Sequence, residues 1–181
     1  LLGNFSLKIK TYLVFAVFTV LLFLAYSQIK AFQDVRIPGV LQRIGIVYFF
    51  VALLYLKTNL KTQLLVAASI LLGYWLIMTF VPVPGFGPAN FEKGTNLAAW
   101  LDNLILNGHL WSYSKTWDPE GILSTFPAIA TGIFGMFVGQ ILNLQITKIE
   151  IIKKTAIIGI TLLISGLLWS IVFPINKSLW T

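Results

Sequence analysis

The sequence predicts an all-α, polytopic membrane protein of about five transmembrane helices, with one long extracytoplasmic loop between the third and the fourth. Composition is the first ground: 57% of the residues are hydrophobic, only 10% are charged, and the mean hydropathy is +0.87. A soluble domain carries roughly 25% charged residues. The second ground is spacing, because apolar stretches of about 17 to 21 residues recur along the chain, close to the ~20 needed to cross a ~30 Å hydrocarbon core. Third, no period-two alternation is sustained, so helices rather than a barrel must satisfy the backbone inside the bilayer.

Taken in order, the first span is predicted over residues 11–27, after Lys8 and Lys10. A cleaved signal peptide competes there, with Ala25 and Ser27 as small residues at the cleavage position, but the apolar run exceeds the ~7 to 15 residues of a signal core. The second span, 39–56, follows Pro38 and contains Gln42 and Arg43; the third, 63–81, stops at Pro82. A polar excursion over 82–122 holds four of the six acidic residues and the single His. The fourth span, 124–144, carries Pro127 and the glycines 132, 135 and 139, and the fifth, 155–173, ends at Pro174. All five belong to one transmembrane domain covering 1–181. The first residue is not Met and the last follows a span closely, so the chain is expected to be part of a larger bundle.

Cytoplasmic loops retain Lys and Arg. Lys8 and Lys10, Lys57 and Lys61, and Lys148, Lys153 and Lys154 fall on alternate turns, which places the N-terminus inside and the long loop outside. The formal charge of +7 is then a matter of topology and anionic lipid, with the bilayer as the standing partner. The basic residues form no stripe, so nucleic acid is excluded as a partner. The sequence has no Cys, hence no thiol nucleophile or thiolate metal site, and one His with scattered carboxylates gives no metal-ligand spacing.

Four features carry chemistry. Arg43, beside Gln42, lies inside a span, where a guanidinium costs at least ~2.5 kcal/mol at the helix centre. It either faces a partner, Asp118 or Glu120 being within reach on this topology, or snorkels to the outer interface. The segment WDPEGILSTFP at 117–127 sets two carboxylates one residue apart around a rigid Pro, at the mouth of the bundle. Asp118 and Glu120 there suit an amine or hydroxyl acceptor or a general base; the plain alternative is a capped helix start, with Ser124 or Thr125 as the cap. His109 is available for proton transfer but has no relay partner in the sequence. Gly132, Gly135 and Gly139 share a helix face, which suits close packing and possible self-association. Trp100, Trp111 and Trp117 suit interface anchoring or a sugar-stacking surface.

Taken together, RIPGVLQRIG at 36–45, the Pro84-Gly85 turn, Asn96 with Asp102 downstream, His109-Leu110, DPEGILST at 118–125 and PINKSLWT at 174–181 resemble the heparan-α-glucosaminide N-acetyltransferase family and its bacterial relatives. The resemblance implies a polytopic acyltransferase that takes acetyl from cytosolic acetyl-CoA, with no metal, and delivers it to the amino group of a glucosamine-type acceptor across a bacterial plasma membrane. Set beside it, the chemistry of the residues gives catalytic roles to Asp118 and Glu120, as the base such a transfer needs, and substrate contacts to Arg43, Gln42, Asn96, Asp102, His109, Asn176 and Lys177. The family's catalytic His lies in an earlier span with no counterpart here, so that role is not transferred to His109. Lys57, Lys61, Lys148, Lys153 and Lys154 are candidates for the CoA phosphates as well as for retention on the inner side. A transporter or flippase of a small polar or lipid-linked solute, with Arg43 and the acids lining its path, is the alternative from another class.

Overall fold

A computed structural model of the chain describes residues 7–25 and 35–176. Six helices follow one another: α1 (Leu7–Ala25), α2 (Val40–Lys57), α3 (Leu60–Phe80), α4 (Leu97–Leu106), α5 (Ile122–Leu142) and α6 (Lys148–Trp169). No strand occurs among the described residues, only an isolated bridge between Val83 and Gly87. Four helices, α2, α3, α5 and α6, are long and apolar enough to cross a membrane, and the protein is an integral membrane protein. The first expected span falls on α1, whose apolar part, Tyr12–Leu24, is shorter than the other four; its last two residues lie outside the described ones.

Helix α5 is the hub, packing against α2, α3, α4 and α6. Its sequence suits that position, because Ala130 and Ile133 are fully buried and Gly132 faces Val47 and Val51 of α2 so closely that a Cβ would stand 2.7 and 2.8 Å from their methyl groups. Gly135 and Gly139, by contrast, have open space where a Cβ would go. The expected association face is therefore split, since its first glycine is already used within the chain. Pro127 sits buried in α5 without interrupting it. Its missing N–H removes one i→i−4 hydrogen bond from the preceding turn.

At the far end of the bundle α2 and α3 are joined by a two-residue corner. Asn59 caps α3, accepting from the Thr62 amide at 3.0 Å, and Gln63 donates to the carbonyls of Leu54 and Thr58, both at 3.2 Å. Helix α6 starts at Lys148, seven residues before the expected span. The lysines there read as a loop, but Thr147 and Glu150 form a reciprocal capping box that starts the helix ahead of them.

The long excursion is structured. A type II turn at Val83 to Phe86 uses Pro84 and then Gly85 at φ 82°, the residue pair that turn demands. Asn96 caps α4, a ten-residue helix where the sequence reading has only loop. Leu97, Ala98 and Val83 pack with Tyr74, Met78 and Phe173 in an apolar cluster bordered by Trp75, Phe91, Trp100, Leu123 and Trp169. Trp100 is thus part of the packing that seats α4 on the bundle.

Candidate functional site

Both arginines of the sequence converge on the segment 118–124. Arg36, just before Pro38 and α2, donates from Nε to Asp118 Oδ2 at 2.8 Å and from Nη2 to Asp118 Oδ1 at 2.6 Å, and Nη2 also pairs with Glu120 Oε2. This two-point geometry is the one a planar guanidinium offers a carboxylate. The Asp118 side chain is 0% exposed, that of Glu120 17% and that of Arg36 31%. The hydrogen bonds to Asp118, more than offsetting partial burial, hold the Arg36 guanidinium above its usual pKa. Its carbon also stands 6.0 Å from the ring centre of Trp111, which meets Trp117 edge to face at 6.0 Å, and Lys93 lies 4.8 Å above Trp117. Trp111 and Trp117 therefore border the carboxylate cluster, with cations already near both rings.

Arg43 is buried one helical stretch further in, but its hydrogen bonds run to main-chain oxygens: Nη1 to the Pro119 carbonyl at 3.0 Å and Nη2 to the Ser124 carbonyl at 2.8 Å. The expected pairing of Arg43 with Asp118 or Glu120 is thus replaced by Arg36, which reaches them from outside the span. The reason is geometric, since Arg43 meets the Pro119 and Ser124 carbonyls of the turn, while both carboxylates are taken up by Arg36. Two arginines seven residues apart around Pro38, in a sequence with no others, were the available sign of the second one.

The turn itself is tightly bonded. Asp118 Oδ1 accepts from the Glu120 amide at 2.9 Å, and the Gly121 amide donates to the Asp118 carbonyl at 3.0 Å. Neither Ser124 nor Thr125 caps α5; Thr125 donates back to the Gly121 carbonyl at 2.8 Å and Ser124 to the carbonyls of Pro119 and Gly121. The α5 start is taken instead by Asp102, whose Oδ1 accepts from the Ile122 amide at 2.9 Å across twenty residues of chain. Asp102 is 1% exposed, and burial pushes its carboxyl up to about 7 even though the amides of Ile122 and Asp118 favour its ionised form.

The remaining expected site residues divide. His109 is buried, with Nδ1 2.8 Å from the Val35 carbonyl and its own carbonyl accepting from the Ile37 amide at 2.9 Å, so it fastens the segment that carries Arg36. Asn96 is a buried helix cap, with its carboxamide oxygen on the Ala99 amide rather than turned toward the carboxylates. Gln42 is exposed on α2 beside Gly39 and does not join the cluster. Asn176 is half-buried beyond Phe173, and Lys177 lies outside the described residues. No group of three or more His, Asp or Glu placed to hold a metal occurs among the described residues. An open groove of about 430 Å³ leads away from Arg43 between α2 and α5, walled by Ile44, Val47, Tyr48, Val51 and Gly132.

No family model matches the chain. It is 33% identical to the human protein named heparan-alpha-glucosaminide N-acetyltransferase, over an alignment of 201 positions that takes in 83% of this chain and 30% of the human protein. The mouse protein of the same name is 30% identical, over 83% of this chain and 31% of its own length. The chain thus spans about a third of the length of the curated relatives that it matches.

Proposed function

Because the chain belongs, over the segment it shares with them, to the family of the heparan-alpha-glucosaminide N-acetyltransferases, we propose that it forms part of a membrane-embedded acyltransferase that moves acetyl from acetyl-CoA to the amine of a glucosamine-type sugar. The observation that carries the reading is the Arg36, Asp118 and Glu120 cluster, built from the RIPGVLQR and DPEG strings at one end of an apolar bundle. In net terms the transfer breaks the C–S bond of the thioester, forms a C–N bond between the acetyl carbon and the amine, and releases CoA as the thiolate. The proton shed by the amine needs a base.

Exposure divides the two acids between roles. Asp118 has no exposed side-chain surface and both its oxygens on Arg36 or the turn, so it positions, while Glu120 keeps a face open to meet the acceptor ammonium. The trio carries one net negative charge, which suits a cationic acceptor, and Trp111 and Tyr113 offer ring edges to a sugar beside it. Arg43 holds the carbonyl side of the same turn. The lysines of the opposite end, Lys57, Lys61, Lys148, Lys153 and Lys154, are proposed to face the CoA phosphates and anionic lipid.

The lysine distribution supports a cytoplasmic N-terminus and an outward-facing loop. The relatives compared are human and mouse proteins, and they lend nothing to a bacterial plasma membrane in particular. The test uses the complete protein in proteoliposomes, with radiolabelled acetyl-CoA on one side and glucosamine on the other. N-acetylglucosamine should accumulate, and Glu120→Gln should abolish it while the protein stays folded. Glucosamine crossing the bilayer unacetylated would overturn the reading in favour of a transporter.

A further inference from the structure

The expectation for Asp102 is a substrate contact, yet its carboxylate is sealed under the acidic turn and touches main chain. Oδ1 accepts from the Ile122 amide, the Asp118 amide lies near enough to favour the ionised carboxylate, and the whole carboxylate fills the space a Cβ on Gly121 would need. The inner end of the stretch 118–122 is therefore tied to one side chain, presented by a helix whose own start is fixed by Asn96. A helix-terminal amide bound by an ionised carboxylate is a charge-assisted bond that also favours the positive helix end.

We propose that Asp102 is the positioning residue of this site: its carboxylate, resting against Gly121, sets where Asp118 and Glu120 stand relative to Arg36. Gly121 is then required by the approach of that carboxylate, since its φ of −63° suits any residue. Arg36 can engage both acids only while the turn stays closed, so a side chain that never meets the acceptor governs the one that does. The assignment of Glu120 as the acceptor contact rests on the proposed function; the tethering of the turn does not.

The charge state of Asp102 gives the arrangement a pH signature. Its carboxyl titrates at about 7 because burial outweighs the two amides, with Asp118 adding repulsion and Tyr74 of α3 also facing it. Arg43 of α2 reaches the same region through Tyr74. Below that pH a protonated Asp102 is an acid with weakened acceptor strength, and the turn loosens; above it the turn is held. Stability runs the opposite way. A carboxyl raised from its ordinary value binds more protons folded than unfolded, so its contribution is full below about pH 4 and is lost as pH rises through about 7. Ionised Asp102 thus keeps the turn in place at the expense of global stability.

Hydrogen exchange of the complete protein in nanodiscs tests this without acetyl-CoA. After correction for intrinsic rates, protection of the amides at 118–122 should rise about tenfold between pH 5.5 and pH 8, the effect of one charge-assisted bond lost in openings that free the turn while Asp102 stays buried, where its pKa would stand higher still. Asp102→Asn keeps the volume and one acceptor but turns an NH2 toward the Asp118 amide, so protection there should be low and flat with pH, with α3 and α6 unchanged. A wild-type protein with no rise across this range, or an Asp102→Asn protein that keeps it, overturns the proposal. The pH profile of acetyl transfer should lose its limb near 7 in Asp102→Asn, and KM for the acceptor should rise with it, because the displaced Glu120 is the group that meets the acceptor. Were no transfer found in any form while the exchange result held, the proposed function would fall and the positioning role would stand.

Discussion

At the loop end of the bundle, Arg36, Arg43, Asp102, Asp118 and Glu120 are buried or half-buried, and each is bound by a named group. At the opposite end, Lys57, Lys61, Lys148, Lys153 and Lys154 are all exposed. Both ends are charged, but only at one are the basic groups held by buried hydrogen-bonding partners. Removing a charge from water costs several kcal/mol unless excellent geometry repays it, so such an arrangement persists where position matters. Exposed lysines carry no such cost and can follow lipid headgroups or phosphates as they move. The difference separates a site with geometry from a surface with charge.

The contrast is broken most directly at Asp118. Replacing it by Ala leaves Arg36 with Glu120 alone and opens the turn that Asp118 Oδ1 closes onto the Glu120 amide. Breaking a fully buried pair costs ~3–5 kcal/mol; with Arg36 31% exposed, about 2–3 kcal/mol is expected. Acetyl transfer by the complete protein should fall by about 100-fold or more, within the range that proton transfer supplies. Thermal unfolding in detergent and transfer assays check both. An Arg36→Ala, Asp118→Ala double variant should recover part of the stability lost by Asp118→Ala, because no unpaired guanidinium remains. Equal losses from Lys57→Ala would erase the distinction between the two ends.

Between the ends, the α2 and α5 contact at Gly132 joins them mechanically. Gly132→Leu would drive a side chain into Val47 and Val51 and separate the helices that carry Arg43 and Ser124. Overpacking of that kind costs about 1–3 kcal/mol. The same change at Gly135, which has open space, should cost far less, and unfolding midpoints of the two variants compare them.

The spans were legible because each element announces itself over many residues. Three of the expected spans, 39–56, 63–81 and 124–144, fall within a few residues of α2, α3 and α5. The start of α6 was missed because lysines in a first turn look like loop until the Thr147 and Glu150 box is seen. Helix α4 was missed because ten residues are too few for periodicity to distinguish from a polar loop that happens to hold Leu and Ala. At the site, Asp118 and Glu120 were legible as paired acids around a Pro. What they bind was not, because the partner of each depends on distance in space: Arg36 is 82 residues from Asp118 in sequence, and Asp102 reaches Ile122 across a helix and a loop. A residue type at a position implies a capacity, while the fold decides which neighbour uses it, as Asn96 and His109 illustrate by holding backbone rather than ligand.

The smallest effect is expected from the lysines, and it sharpens the contrast by its dependence on lipid. Neutralising Lys148, Lys153 and Lys154 together removes three exposed charges, and exposed substitutions stay within about 0.5 kcal/mol each. In zwitterionic nanodiscs the variant should therefore unfold at nearly the wild-type temperature. In nanodiscs with anionic lipid the wild type should gain stability that the variant lacks, since a basic side chain near such a surface is worth about 1 kcal/mol. Raising the salt should remove that gain, because charges at the surface are screened beyond about 8–10 Å. The loss caused by Asp118→Ala, in contrast, should be the same in both lipids and at both salt concentrations, as a pair with one wholly buried member is shielded from the solvent ions that screen the lysines. If the lysine variant proved insensitive to lipid charge, or the Asp118 variant sensitive to salt, the division into a fixed end and an adaptable end would not hold.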